Sequence, residues 1–181
     1  MNDMFGWSTP PVAPKKVAYN MYKSSGNDDY MTPKSAWEAI AHLIPKDKVI
    51  WEAFYGNGDS GRFLRELGFQ VLHEAKLDFF KSNVGDIIVS NPPFSKTREI
   101  LARLDETEKP FILIMPAQKL SSTTMRQLFG YKRIQIIVPR KRIQFIEWVD
   151  RKTLVRRNKC SFDCLYYCYK INLPKDIIFL E

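Results

Sequence analysis

The tetrapeptide Asn91-Pro92-Pro93-Phe94 ends an apolar run, DIIVS, and its residue types suit the handling of an amino group on a planar ring. Such a nitrogen is a poor nucleophile because its lone pair is delocalised into the ring. The Asn91 side-chain oxygen and a neighbouring main-chain carbonyl, both acceptors, can hold its two N–H groups and steer the nitrogen towards an electrophile. Pro92 and Pro93 fix that carbonyl, because their φ is locked and they offer no competing donor. Phe94 supplies a face on which a planar base stacks, a contact worth about 1–3 kcal/mol. No general base is required until the nitrogen has reacted and become acidic. A tetrapeptide of this form arises by accident in a chain this long with odds on the order of one per cent at average proline usage, so a chemical role outweighs coincidence.

Two further places could serve a ligand. In Glu52-Ala53-Phe54-Tyr55-Gly56-Asn57-Gly58, the glycines let the backbone turn tightly and approach a ligand without a Cβ in the way. In an open parallel sheet, ligands sit beyond the carboxyl ends of the strands. The same spacing also fits an ordinary turn. It lacks the Gly-Lys-Ser/Thr of a triphosphate loop, and no clear third glycine completes the GxGxxG loop that a dinucleotide oxidoreductase would need. Glu74 follows Gly56 by 18 residues, near where nucleoside-binding folds place a carboxylate for a ribose diol. Asp78 could accept from an adenine amino group while Phe79 packs on the ring. Each acid taken alone is equally well a solvated loop carboxylate.

These residues need elements to hold them. Thr32 and Pro33 read as N-cap and first position of a helix whose apolar face is Ala36, Trp37, Ile40 and Leu43, stopped by Pro45. KVIWEAF reads as a strand, RFLRELG as a helix closed by Gly68, FQVLHE as a second strand, LDFFKSNVG as a loop and DIIVS as a third strand. TREILARLDETE is helical, FILIMP a fourth strand, and QKLSSTTMRQLFG a further helix. Strands alternating with helices predict an α/β domain, a mostly parallel sheet with helices on both faces. The tail runs RIQIIVP, RIQFIEW and DCLYYCYKI have no helix between them and predict antiparallel pairing at one sheet edge. Residues 1–29, with STPPVAP and SSGNDD, read as an extended or mobile arm, and 30–181 as a single domain.

At 181 residues and 45% hydrophobic, the chain suits one domain with a sizeable core. It shows no long apolar span and no leader-like start, which predicts an intracellular, non-secreted protein that does not enter a membrane. Cys160, Cys164 and Cys168 are odd in number, lack CxxC spacing and have two histidines for company, so they read as reduced core thiols, not a metal site. The net charge of +8 is concentrated: Lys132 to Lys159 holds ten basic residues against Glu147 and Asp150, while the remaining residues balance at 18 of each sign. A neutral body with one basic segment suits a polyanionic partner, although a solvated basic face has the same composition.

With these residues in view, the sequence resembles the amino-methylating, S-adenosylmethionine-dependent methyltransferases of the nucleic-acid adenine-N6 type. NPPF is similar to that family's catalytic tetrapeptide, EAFYGNG to its cofactor loop, and YMTPKSAW to the segment preceding the loop in several DNA adenine enzymes. The tail, QFIEW then SFDCLYYCYK, is similar to late strands of small phage and viral members. The resemblance covers roughly residues 30–172 and implies a Rossmann-like methyltransferase fold. It implies that Asn91, Pro92, Pro93 and Phe94 hold the target base. Glu52, Phe54, Gly56 and Gly58 would line the methionine end of S-adenosylmethionine, with Thr32 and Pro33 opposite, and Glu74, Asp78 and Phe79 would meet its ribose and adenine. Arg140, Lys141, Arg142, Arg156 and Arg157 would neutralise phosphates. The loop begins with Glu-Ala-Phe where Asp-Pro-Phe is commoner, and the helix usual between the positions of Glu74 and Asp78 is almost absent. No separate target-recognition domain is evident, so sequence choice falls to short loops, the basic segment or a partner chain, a second copy or another subunit. The resemblance favours DNA over RNA as substrate. It leaves open an RNA adenine-N6 or guanine-N2 enzyme and a non-catalytic nucleic-acid-binding subunit of the same fold.

Overall fold

Apolar residues alternate along the strands, and the two alternating sets bury against different helices. The computed structural model describes residues 28, 30–148, 154–156 and 162–181. Ten strands are present among them: β1 (Tyr30–Met31), β2 (Ile50–Trp51), β3 (Val71–Leu72), β4 (Ile87–Ser90), β5 (Phe111–Pro116), β6 (Ile134–Val138), β7 (Ile146–Trp148), β8 (Leu154–Arg156), β9 (Cys164–Tyr169) and β10 (Ile177–Phe179). Four helices accompany them: α1 (Lys34–Ile40), α2 (Asp59–Glu66), α3 (Thr97–Thr107) and α4 (Thr123–Phe129). None of the described helices is long and apolar enough to cross a membrane.

The main sheet has the order β3-β2-β4-β5-β9-β6-β10. All neighbours are parallel except β9, which runs antiparallel to both β5 and β6. The expected Rossmann-like α/β architecture is thus the one adopted, with antiparallel pairing confined to the end of the sheet built from the tail. Ile50, Ile87, Val89, Ile112, Ile114 and Tyr166 face the layer holding Trp37, Ile40 and Leu64 of α1 and α2. Trp51, Ile88, Phe111, Leu113 and Tyr167 face Ile100, Leu101 and Leu104 of α3 and Met125 and Phe129 of α4. Helices therefore cover both faces, as a period of two in a doubly buried strand requires.

The helix starts and ends differ in detail from expectation. Thr32 does not cap α1: Pro33 occupies the N-cap position with extended backbone, and no side chain bonds the free N–H groups. QKLSSTTMRQLFG is two elements, a 3-10 turn over Ala117–Ser121 and then α4, because Ser122 turns extended and its hydroxyl accepts from the Met125 N–H at 3.2 Å. Residues 73–86, between β3 and β4, hold no helix, and β3 is one edge of the sheet.

A second, three-stranded antiparallel sheet, β1-β7-β8, is not evident in the sequence. RIQFIEW supplies β7, which pairs with Tyr30–Met31 instead of joining the main sheet. β10 is likewise unforeseen and adds a parallel edge beside β6. Cys164 and Cys168 are buried on the α1 face, and burial pushes the Cys168 thiol up to about 12. Cys160 lies outside the described residues.

Candidate active site

Both motifs lie on one rim. β2 and β4 are adjacent and parallel, so the glycine loop after β2 and the tetrapeptide after β4 leave the sheet side by side at its carboxyl end. β1 lies between them. The Asn91 Nδ2 group donates to the Tyr30 carbonyl at 3.0 Å, and Met31 packs on the glycine loop, where a Cβ on Gly56 would come 3.1 Å from its sulfur. Gly56 and Gly58 have φ of +55° and +90°, left-handed conformations that cost a glycine little. The loop is braced by Asn57, which bonds the Asp59 side chain at 2.6 Å and accepts from its N–H at 3.1 Å.

The bond to Tyr30 decides how the Asn91 amide faces, because only its N–H end can meet a carbonyl. The other end, Oδ1, is buried and has no partner among the described residues, and the same holds for the Thr32 hydroxyl. Buried polar atoms are seldom left unpaired. Both residues adjoin β1, Asn91 through its bond to Tyr30 and Thr32 by following Met31 in sequence.

Glu52 lies buried just beyond β2. It is 2% exposed, accepts from the Ser90 hydroxyl through Oε1, and places Oε2 2.6 Å from His73 Nε2. Tyr55 stacks on the His73 ring at 4.6 Å, and a Cβ on Gly61 would come 2.0 Å from His73 Nδ1. This buried cluster joins the ends of β2, β3 and β4 directly beneath the two loops, with Ser90 adjoining Asn91 in sequence.

Phe94 stands in an aromatic cluster. Its ring lies 6.3 Å from Tyr30 at 26°, 6.3 Å from Phe145 and 5.5 Å from Phe162, the latter two edge-on. Phe145 comes from the loop between β6 and β7. Phe162 precedes β9, which starts at this rim because it runs opposite to its neighbours. The turn Phe94–Lys96 is held by Asp28, which accepts from the Ser95 N–H at 3.1 Å and from its hydroxyl. Asp28 is thus fastened to the tetrapeptide loop; the remainder of the arm expected over residues 1–29 lies outside the described residues.

No family model matches the sequence and no curated protein matches it. The solved structures that match include a candidate RNA methyltransferase from Pyrococcus horikoshii, at 18% identity over 85% of this chain and 96% of that one, TM-score 0.45. A candidate class I S-adenosylmethionine-dependent methyltransferase from Listeria monocytogenes aligns at 11% identity over 90% and 69%, TM-score 0.47. A precorrin-8w decarboxylase from Methanobacterium thermoautotrophicum aligns at 15% identity over 80% and 99%, TM-score 0.41. The strand order and register stand independently of these likenesses.

The remaining expected site residues are spread along the same rim. Glu74 is exposed just beyond β3, 3.1 Å from the Lys76 amine. Asp78 caps its own turn, accepting from the Phe80 N–H at 2.9 Å. Phe79, expected to pack on an adenine ring, is 5% exposed and packs against Trp51 and Phe54 at 5.7 and 4.9 Å, covering the sheet face there. Its neighbour Phe80 is 41% exposed and borders an open groove with Lys96, Glu99 and Ala102 of the turn and α3. Phe54 and Pro33 are buried, Pro92 is buried beneath the loop, and Pro93 is half-buried.

The basic segment is partly used internally. Lys132 pairs with Asp105 and Glu108 at 2.7 Å each, Arg133 with Asp176 at 2.8 Å, and Arg142 with Asp163 at 2.6 Å. Arg140 and Lys141 are exposed just beyond the carboxyl end of β6 and form no ion pair among the described residues. Arg156 belongs to β8, described here by its backbone, and Arg157 lies outside the described residues. Sequence reading passed over Tyr30, His73, Ser90, Phe145 and Phe162. Tyr30 adjoins the Thr-Pro segment, which was its one available signal; the others become neighbours only when strands distant in sequence pair.

Proposed function

We propose that the protein is an S-adenosylmethionine-dependent methyltransferase that modifies N6 of adenine in nucleic acid, with DNA ahead of RNA. The observation that carries this reading is the Asn91 amide: its N–H end is bound to the Tyr30 carbonyl, and its oxygen is buried with no partner among the described residues. Asn91 Oδ1 accepts one N–H of the adenine amino group, a carbonyl of the Pro92–Pro93 main chain accepts the other, and the aromatic cluster around Phe94 stacks the ring.

The chain's residues fit the cofactor. The unpartnered Thr32 hydroxyl, the bare backbone of Gly56 and Gly58 and the exposed Glu74 carboxylate lie along the rim where the methionine end and the ribose would be held. When bound, the cofactor supplies a methyl group on a sulfonium centre; transfer makes an N–C bond, breaks an S–C bond and releases an amino proton to solvent. Glu52 serves from beneath, by fixing the loops through Ser90 and His73. Arg140 and Lys141 meet phosphates, which makes binding salt-dependent. A duplex adenine must leave the stack, at a cost of a few kcal/mol that favours single-stranded or mismatched sites.

The test is transfer of labelled methyl from S-adenosylmethionine to single- and double-stranded DNA and RNA, followed by nucleoside digestion and mass analysis. N6-methyl-deoxyadenosine is the expected product, and N6-methyladenosine would move the substrate to RNA. No thermal shift with S-adenosylhomocysteine and no product on any polymer would overturn the catalytic reading in favour of a non-catalytic binding subunit.

A further inference from the structure

Basic side chains are treated differently at the two rims of the main sheet. Beside the amino ends of β5 and β6, Lys132 and Lys170 share Glu108, Arg133 pairs with Asp176, and Lys109 donates to the Val84 and Gly85 carbonyls. Just beyond the carboxyl ends of β4, β5 and β6, Lys96, Lys119, Arg140 and Lys141 form no ion pair among the described residues. Lys119 is half-buried and the other three are exposed. β4, β5 and β6 run in one direction, so all four cations stand on the rim that carries Asn91.

The turns that hold them are braced. The Ala117 N–H donates to the Asp163 carbonyl at 2.8 Å, the Tyr167 hydroxyl donates to the Pro116 carbonyl at 2.9 Å, and Arg142 pairs with Asp163. These bonds tie the turn of Lys119 to the loop of Arg140 and Lys141. Asp28, by accepting from the Ser95 N–H, fixes the turn of Lys96. Leu120, beside Lys119, is 46% exposed, an apolar surface among the charges. The order β4-β5-β9-β6 sets the ends of the row three strand spacings apart, about 14 Å at about 4.8 Å each. A row of fixed, unpaired cations with an apolar group between them fits a backbone of evenly spaced phosphates that carries planar bases. We infer that Lys96 and Lys119 are phosphate contacts continuing the row begun by Arg140 and Lys141, so that one nucleic-acid strand crosses the rim from β6 to β4 and brings its base to Asn91. The inference rests on the nucleic-acid reading above and adds the path of the strand and two residues that guide it.

Fluorescence anisotropy of a short labelled single-stranded oligonucleotide, followed over a salt series without cofactor, tests it. The logarithm of wild-type affinity is expected to fall against that of salt with a slope of about −3 or steeper, from four contacts at about 0.7 each. Lys96→Gln and Lys119→Gln are each expected to weaken binding and reduce the slope by about 0.7, and Lys119→Arg, which keeps the charge, to retain both. Lys175→Gln, at an exposed and unpaired position on the opposite rim, is expected to change neither. A slope that Lys96→Gln or Lys119→Gln leaves unchanged overturns the inference. So does an equal loss with Lys175→Gln, which would make binding a matter of net charge alone, or an absence of binding at low salt. Nothing is turned over in this measurement, so binding with the expected slopes but no methyl transfer would count against the catalytic reading and leave the strand path standing.

Discussion

At the scale of single residues, the site works through atoms the protein leaves unpaired. Asn91 spends its donor end on Tyr30 and keeps its acceptor for an incoming N–H. Replacing Asn91 by Ala removes that acceptor while leaving the cofactor side untouched. We expect methyl transfer to fall by about a hundredfold or more, the scale seen when one preorganised polar group is lost, with S-adenosylhomocysteine binding unchanged. Single-turnover kinetics and calorimetry would separate the two effects. Thr32 allows a test with opposite signs. Thr32→Val keeps the shape and removes a buried hydroxyl that has no partner among the described residues, so the ligand-free protein should melt at a higher temperature. Cofactor affinity should fall about fivefold, the worth of one hydrogen bond of about 1 kcal/mol. Equal melting temperatures and equal affinities would mean that Thr32 faces no ligand.

At the scale of elements, the short strands β2, β3 and β4 are held in register at their carboxyl ends by Glu52, His73 and Ser90, and α2 is set against them through Gly61. The glycine is there for space: a methyl group would strike the His73 ring, which Tyr55 fixes on one side and Glu52 at its tip. Gly61→Ala should therefore cost about 1–3 kcal/mol, as overpacking a rigid core site does, despite the better helix propensity of alanine. Urea unfolding would read the loss, and an unchanged midpoint would show that His73 can move aside. The sequence made Gly56, Gly58 and Gly68 legible as turn and helix-end glycines, because those roles are local. Gly61 is explained only by His73, which arrives from the next strand.

At the scale of the whole molecule, α3 is tied to the tail of the sheet by charge. Glu108, in a left-handed conformation past the end of α3, accepts from Lys132 and Lys170, and Lys132 also reaches Asp105. The hydrogen bond from Lys132, then that from Lys170, lowers the Glu108 carboxyl from its ordinary value of 4.5 to about 2. A carboxyl whose pKa is depressed on folding stabilises the native state above its unfolded value, and that contribution is lost as pH falls through the folded one. Melting temperature should thus decline between pH 4.5 and pH 2, and Glu108→Gln should flatten that part of the decline; parallel profiles for the two proteins would rule the network out as its source. Much of this chain was legible in advance for one physical reason: period-two apolar alternation, proline, glycine and the chemistry of Asn-Pro-Pro-Phe act over a few residues. By itself the sequence determined the α/β alternation, the strands and helices from residue 34 to 116, the placing of both motifs at strand ends and the basic character of the tail. Tertiary structure alone decided that β1 would sit between the motifs and turn the Asn91 amide, that Glu52 would be buried against His73 and Ser90, and that Phe145 and Phe162 would join Phe94. It also decided that Phe79 would be core, and that Arg142 would pair with Asp163 while Arg140 and Lys141 stayed open. Each of these depends on which strand lies beside which, and strand neighbours are chosen by burial across the whole sheet.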